Sequence, residues 1–172
     1  KLEKAGAGIS EITVSRVNEA MDLTGFLYSP EAYATWKHKI EKSPDLMFAK
    51  ILERFRSGAN VLASDFIHAW DKLVDLRQQY HSEVEAFDAI LIPTSPIIPP
   101  EIGRLMNDGD FYNSQNLLAL RNTRIGNLMD GCSITLPTDT PSCGLLIMGR
   151  PNEEARLLRL AQACELVLAR NR

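Results

Sequence analysis

The sequence has few cysteines and histidines, and their spacing excludes the common metal sites. The three cysteines form no Cys-x-x-Cys pair, and the three histidines form no His-Glu-x-x-His motif. We therefore expect no metal site and no cofactor. So few cysteines also suit a reducing compartment, and the sequence predicts a cytoplasmic protein.

An excess of positive charge and a long apolar run are both missing as well. The net charge is −3 and the pI is near 5.6, which argues against nucleic acid as a partner. No apolar stretch reaches the roughly 18 to 20 residues that span a bilayer, so we expect no membrane segment. What remains is ordinary globular composition over 172 residues, enough for one compact domain.

The first half of the chain carries helix signals. Residues 9–14 are predicted to form a strand, and helices are predicted to begin at Ser29-Pro30-Glu31 and at Ser43-Pro44-Asp45, where a hydroxyl precedes proline and an acid. The second of these helices is predicted to end near Ser57, with Gly58 as a left-handed cap. Apolar spacing predicts one amphipathic helix over residues 65–86.

The second half alternates short apolar runs with helical patterns. It predicts a strand buried on both faces at 89–92, a helix at 114–129, strands at 134–136 and 145–148, and a final helix capped by Asn152 with Cys164 in its apolar face. These elements predict an α/β fold, a mixed β-sheet flanked by helices. The helical segment covers about 29–86 and the sheet-and-helix segment about 87–172.

Three ordered stretches carry a family resemblance: FDAILIPTSP, NTRIGNLMDGCSITLP and CGLLIMGRPNEEARLLRLAQACE. In this order they resemble the C-terminal part of the amidase signature family. The matching positions are Phe87, Asp88, Pro93, Thr94, Pro96, Asn122, Thr123, Asn127, Leu128, Pro137, Gly144, Gly149, Glu154, Leu157 and Leu158. The resemblance implies that residues 1–172 are one domain, the C-terminal part of an amidase signature fold.

The resemblance also implies a reaction. The family hydrolyses the carbon–nitrogen bond of small amides through a serine, a second serine in a cis peptide, and a lysine. Its Gly-Ser-rich stretch has no counterpart here, so we expect no catalytic residue in this chain and no activity from it alone. The implied partners are a small-molecule amide and the N-terminal catalytic half of the same polypeptide, and a homo-oligomer stays open.

By the same resemblance, two polar segments are candidates for lining the substrate pocket. They contribute seven substrate-binding residues: Thr94, Ser95, Pro96, Asn122, Thr123, Asn127 and Asp130. In each case the alternative is that the side chain only satisfies nearby backbone groups. Leu120 stands where members that serve tRNA amidation carry an acid, which disfavours a role in a glutamyl-tRNA amidotransferase.

Two other functions remain open from the sequence. One is a free-standing, non-catalytic domain of the same fold that binds a small molecule. The other is a cysteine hydrolase centred on Cys132, which would need a nearby histidine to activate the thiol. The more ordinary interpretation of Cys132 is a small buried side chain at the corner between a helix and a strand.

Overall fold

The computed structural model describes residues 1–169, which form two compact units. The helical unit runs from Val14 to Tyr80, and the sheet unit combines Lys1–Thr13 with the chain from His81 onward. Within the described residues no helix is both long and apolar enough to cross a membrane. That residues 1–172 act as one domain stays a prediction.

Four helices make up most of the first half of the chain: α1 Ser15–Asp22, α2 Thr24–Lys42, α3 Ala49–Ser57 and α4 Ala63–Glu83. The long helix predicted over 65–86 is thus confirmed, displaced by two or three residues. Its buried side chains recur every three or four residues, as an amphipathic helix requires: Ala69, Leu73, Leu76 and Tyr80.

Both predicted helix starts in this half are wrong. Pro30 lies inside α2, and the Ser29 hydroxyl donates to the Gly25 carbonyl one turn earlier (3.0 Å) instead of capping a helix. Pro44 begins only a single turn of 3-10 helix, Pro44–Leu46. The backbone is extended at Met47, so α3 cannot begin before Ala49. At both positions the surrounding chain therefore overrides the local helix-start signals.

Gly58 follows the end of α3 but does not cap it in the left-handed conformation. Its φ is −63°, and it begins another 3-10 turn, Gly58–Asn60. The reason for glycine is a close approach to α2, because a Cβ here would lie 2.1 Å from the Ser29 carbonyl oxygen. The predicted end of α3 near Ser57 is confirmed, and the predicted reason for the glycine is wrong.

Three antiparallel strands form the sheet: β1 Ile90–Pro93, β2 Ser133–Pro137 and β3 Gly144–Met148, in the order β1-β3-β2. In this register Leu91 and Ile134 both lie opposite Ile147. All three predicted strands of this half are confirmed. The expectation that β1 is buried on both faces is wrong, because it is an edge strand and only half-buried among the described residues.

Four further helices complete the sheet unit: α5 Ile102–Asn107, α6 Gly109–Ala119, α7 Arg121–Leu128 and α8 Glu154–Ala169. The single helix predicted over 114–129 is wrong, since it begins earlier and is interrupted at Leu120. Asp108 sets the earlier start by accepting a hydrogen bond from the Phe111 N–H (2.9 Å). Asn152 does not cap α8, because it lies two residues before it with φ at 61°.

The core of the sheet unit lies between the sheet and α8. Its buried residues are Leu136, Ile147, Leu157 and Ala161. Cys164 packs against them, and burial raises the pKa of its thiol. The predicted core position of Cys164 is confirmed. Residues 9–14 form no strand within the described chain, although their backbone runs up to α1 without helix.

Candidate functional site

The carboxyl end of β1 is held by a buried amide. Asn122, in the first turn of α7, is only 6% exposed, and its Nδ2 donates to the Pro93 carbonyl at 2.7 Å. A buried amide costs free energy unless it is hydrogen-bonded, so this contact fixes the side chain. The structure thereby brings the start of α7 to the end of β1, where the loop with Thr94 begins.

Thr94, the first residue of that loop, continues the pairing with β3. Its N–H donates to the Gly144 carbonyl (2.9 Å), and its hydroxyl donates to the Thr135 hydroxyl on β2 (3.2 Å). The side chains of two outer strands can meet across the middle strand because Gly144 has no side chain there. A Cβ on Gly144 would lie 2.6 Å from the Thr94 Oγ1.

Thr135 is a site residue that sequence reasoning missed. Along β2, Ile134 and Leu136 turn towards the core, while Thr135 is exposed on the opposite face. This alternation of apolar and polar residues was visible in the sequence SITLP and placed Thr135 on the polar face. It gave no sign that the hydroxyl would reach a second strand.

The other residues of the loop after β1 satisfy local groups. The Ser95 hydroxyl oxygen accepts a hydrogen bond from the backbone nitrogen of Ile97 (3.5 Å). Pro96 is exposed between them. These two residues lie beside Thr94 in sequence, and their contacts shape the loop that presents it.

The remaining candidates spread along α7. The Thr123 hydroxyl donates to the Leu120 carbonyl (3.2 Å) at the break before the helix, and Asn127 is exposed near its end. Asp130 lies two residues beyond the end of α7, which rises about 9 Å along its axis from Asn122 to Leu128. The structure joins Thr94 and Asn122 through Pro93, and it places Asp130 at the far end of α7.

Asp130 has a structural role at that end. Its φ is 57°, the left-handed conformation that commonly terminates helices, and the next residue, Gly131, donates its N–H to the Gly126 carbonyl (2.9 Å). An aspartate tolerates this conformation better than most residues with a side chain. This backbone conformation accounts for an aspartate at position 130 even if its side chain binds no ligand.

Cys132 lies at the corner between α7 and β2. Its thiol donates to the Arg150 carbonyl (3.1 Å), and its own carbonyl accepts from the Gly149 N–H (2.8 Å), which extends the pairing of β2 with β3. The side chain packs against the core cluster. These contacts fit the interpretation of Cys132 as a small packed side chain at a corner.

The side chains of Thr94, Thr135 and Asn122 are polar and uncharged, and the Arg121 guanidinium donates to the Asn122 Oδ1 (3.5 Å). Hydroxyl and amide groups can orient an amide substrate, which offers one carbonyl acceptor and N–H donors. A hydroxyl becomes a nucleophile only beside a base, and the Thr94 hydroxyl donates to another hydroxyl. Within residues 1–169, no cluster of histidine, cysteine or acidic side chains could hold a metal ion.

Comparisons with known proteins agree on one family. The family model described as amidase matches residues 1–158. The 2-amino-5-chloromuconic acid deaminase of Comamonas testosteroni is 27% identical over 98% of this chain and 37% of its own length. An amidase of Pseudomonas putida is 26% identical over 96% of this chain and 36% of its own length.

A solved structure agrees with the fold. The structure of 6-aminohexanoate cyclic dimer hydrolase superposes with a TM-score of 0.78 at 20% identity. It matches 98% of this chain and 39% of its own. The chain therefore spans less than two fifths of the length of these relatives, and the predicted fold class is confirmed.

Proposed function

The chain belongs to the amidase family, and on that premise we propose that it is the C-terminal portion of an enzyme that hydrolyses the carbon–nitrogen bond of a small amide. The observation that carries the proposal is the family match over residues 1–158, on a chain that corresponds to 37% of its deaminase relative. The match is one of sequence as well as fold, and a fold by itself would not indicate a function.

The catalytic groups belong to the other part of the enzyme in this proposal. The Ser-cis-Ser-Lys triad lies outside this chain, in an N-terminal half of the same polypeptide. The side chains of Thr94, Thr135 and Asn122 support this division, because they offer hydrogen-bonding groups without a base. Its part is to bind and orient the amide while the triad attacks the carbonyl carbon.

Within the site we assign different roles to the candidate residues. Thr94 contacts the substrate through its hydroxyl, and Thr135 holds that hydroxyl in place over Gly144. Asn122 fixes the Pro93 carbonyl and thus the direction in which the loop leaves β1. Ser95 and Pro96 shape the loop, while Thr123, Asn127 and Asp130 line the approach along α7.

The experiment is hydrolysis of a panel of small amides by the enzyme expressed from the whole coding sequence, including the codons upstream of Lys1. Thr94→Val should lower kcat/KM by about tenfold, the value of roughly one hydrogen bond. Thr140→Val, in the exposed hairpin turn, is the matched control and should leave kcat/KM unchanged. A full-length protein that binds amides without turnover would instead support the non-catalytic binding domain.

A further inference from the structure

The residue before Asn122 brings a positive charge to the candidate site. Arg121 is half-buried at the start of α7, and its Nη1 donates to the Asn122 Oδ1 at 3.5 Å. The other end of the same amide, Nδ2, donates to the Pro93 carbonyl at 2.7 Å. Because only the bonds of the amide separate these two contacts, the guanidinium lies no more than about 9 Å from the Pro93 carbonyl, next to Thr94.

The segments that build the site carry positive charge and no acid. They are residues 93–100, α7, β2 and β3, and their only charged residues are Arg121 and Arg124. Acidic residues follow these segments at Glu101 and Asp130. The chain as a whole has a net charge of −3, so the charge of these segments is opposite in sign. A local excess of positive charge attracts an anionic ligand.

The guanidinium groups of the two arginines lie in different places. The guanidinium of Arg124 donates to the Leu117 carbonyl (3.5 Å), which turns it back towards α6. The guanidinium of Arg121 lies against the amide that holds the end of β1. Of the two, Arg121 is therefore the one placed to contact a substrate bound at Thr94.

The contact between Arg121 and Asn122 can give way to a stronger acceptor. A separation of 3.5 Å is long for a hydrogen bond. A carboxylate accepts shorter hydrogen bonds of roughly twice the strength, and its two oxygens match two parallel N–H groups of a guanidinium. An amide that also bears a carboxylate can therefore bind at Thr94 with one end and at Arg121 with the other.

We propose that Arg121 binds a carboxylate of the substrate, so that the enzyme acts on short, negatively charged amides such as the monoamides of small dicarboxylic acids. This inference rests on the proposed function and names its substrate class. The Thr94 hydroxyl orients the amide end, while the Arg121 guanidinium holds the acid end. The separation of at most about 9 Å between that guanidinium and the Pro93 carbonyl restricts the substrate to a short chain.

The first test compares matched pairs of amides as substrates of the full-length enzyme. Succinamate and glutaramate carry a carboxylate, and butyramide and valeramide have the same chain lengths without the charge. We expect kcat/KM to be at least about tenfold higher for the anionic member of each pair, as hydrogen bonds to a charged group allow. Equal values within the pairs overturn the proposal.

Variants of the full-length enzyme test the residue itself. Arg121→Gln should lower kcat/KM for the anionic amides by about 10- to 100-fold and leave that for the neutral amides within about twofold. Arg121→Lys keeps the charge without the planar fork and should give an intermediate loss. Arg124→Gln is the matched control, because it removes the same charge from the same helix. Its loss should stay below about threefold and vanish at high salt, which screens a distant charge.

Two results from these variants contradict the proposal. An equal loss of kcat/KM for anionic and neutral amides in Arg121→Gln would assign Arg121 to the positioning of Asn122. Equal losses in Arg121→Gln and Arg124→Gln would show that only the general positive field attracts the substrate. If Arg121→Gln does not fold, Arg121→Lys decides, because a loss confined to the anionic amides supports the carboxylate contact and any other pattern overturns it.

The outcomes also separate this inference from the proposed function. An enzyme that hydrolyses neutral and anionic amides equally well retains the function and refutes the carboxylate site. A full-length protein without amidase activity refutes the function, yet it retains the site if calorimetry shows glutarate binding that Arg121→Gln abolishes. A protein that neither hydrolyses amides nor binds glutarate refutes both.

Discussion

Replacing Gly144 by alanine should disrupt the contact between Thr94 and Thr135. The new Cβ would lie 2.6 Å from the Thr94 Oγ1 and 2.9 Å from the Thr135 Cγ2. Unbonded heavy atoms are normally about 3.5 to 4.0 Å apart, so the threonine side chains must rotate away. We expect Gly144→Ala to lower the free energy of unfolding by about 1–3 kcal/mol, the usual cost of overpacking.

The lost hydrogen bond is a further part of this cost. Once Thr94 rotates, its hydroxyl no longer donates to Thr135, and such a bond contributes about 0.5–1.5 kcal/mol. Removing the Thr94 hydroxyl beforehand should relieve the clash. The double variant Gly144→Ala/Thr94→Ala should therefore be more stable than the sum of the two single effects, by about 0.5–3 kcal/mol.

Urea denaturation followed by circular dichroism measures these free energies. Thr140→Ala is the control partner in the cycle, because Thr140 is exposed in the turn between β2 and β3, and its effect should add to that of Gly144→Ala. The reasoning is refuted if Gly144→Ala is as stable as the wild type. It is refuted equally if the effects of Gly144→Ala and Thr94→Ala simply add.

Three more predictions test other parts of the structure. Gly58→Ala should destabilise the helical unit by about 3 kcal/mol or more, as strong overpacking does, whereas Gly25→Ala, which meets no atom within 4 Å, should stabilise it by about 0.5–1 kcal/mol. Asp108→Ala should cost about 1 kcal/mol by removing the cap of α6, and Asp108→Asn should cost less. The hydrogen bonds from Arg56 lower the pKa of Glu41, so stability present above the ordinary glutamate pKa is lost as pH falls through the lowered one. The stability advantage of wild type over Glu41→Gln should therefore shrink between about pH 6 and about pH 3 in pH-dependent melting.

The parts of the fold that follow from burial could be predicted from the sequence. The apolar run of β3 and the spaced leucines of α8 are needed by the core itself, and both lie close to their predicted positions. Features that depend on a distant neighbour could not be predicted. Pro30 signals a helix start locally, yet α2 continues through it and lies against Gly58.

The candidate site also contains residues that could be predicted from the sequence and residues that could not. Asn122 and Thr94 were named from the ordered motifs of the family resemblance, and Asn122 contacts the Pro93 carbonyl, next to Thr94 in the chain. Thr135 has no such motif, and only the pairing of β2 with β3 reveals its contact. Residues 9–14 carry a strand pattern, but a pattern cannot form a strand without a second strand to pair with.

The helical unit is inserted within the sheet unit, and this order has a consequence for folding on the ribosome. Residues 1–13 are synthesised before residues 14–80, and β1, with which residues 8–13 line a groove, follows only after both. Synthesis proceeds at about 5–20 residues per second. The exposed Ile9 and Ile12 must therefore wait for several seconds before the groove can form, an interval in which a chaperone that binds short apolar segments would protect the nascent chain.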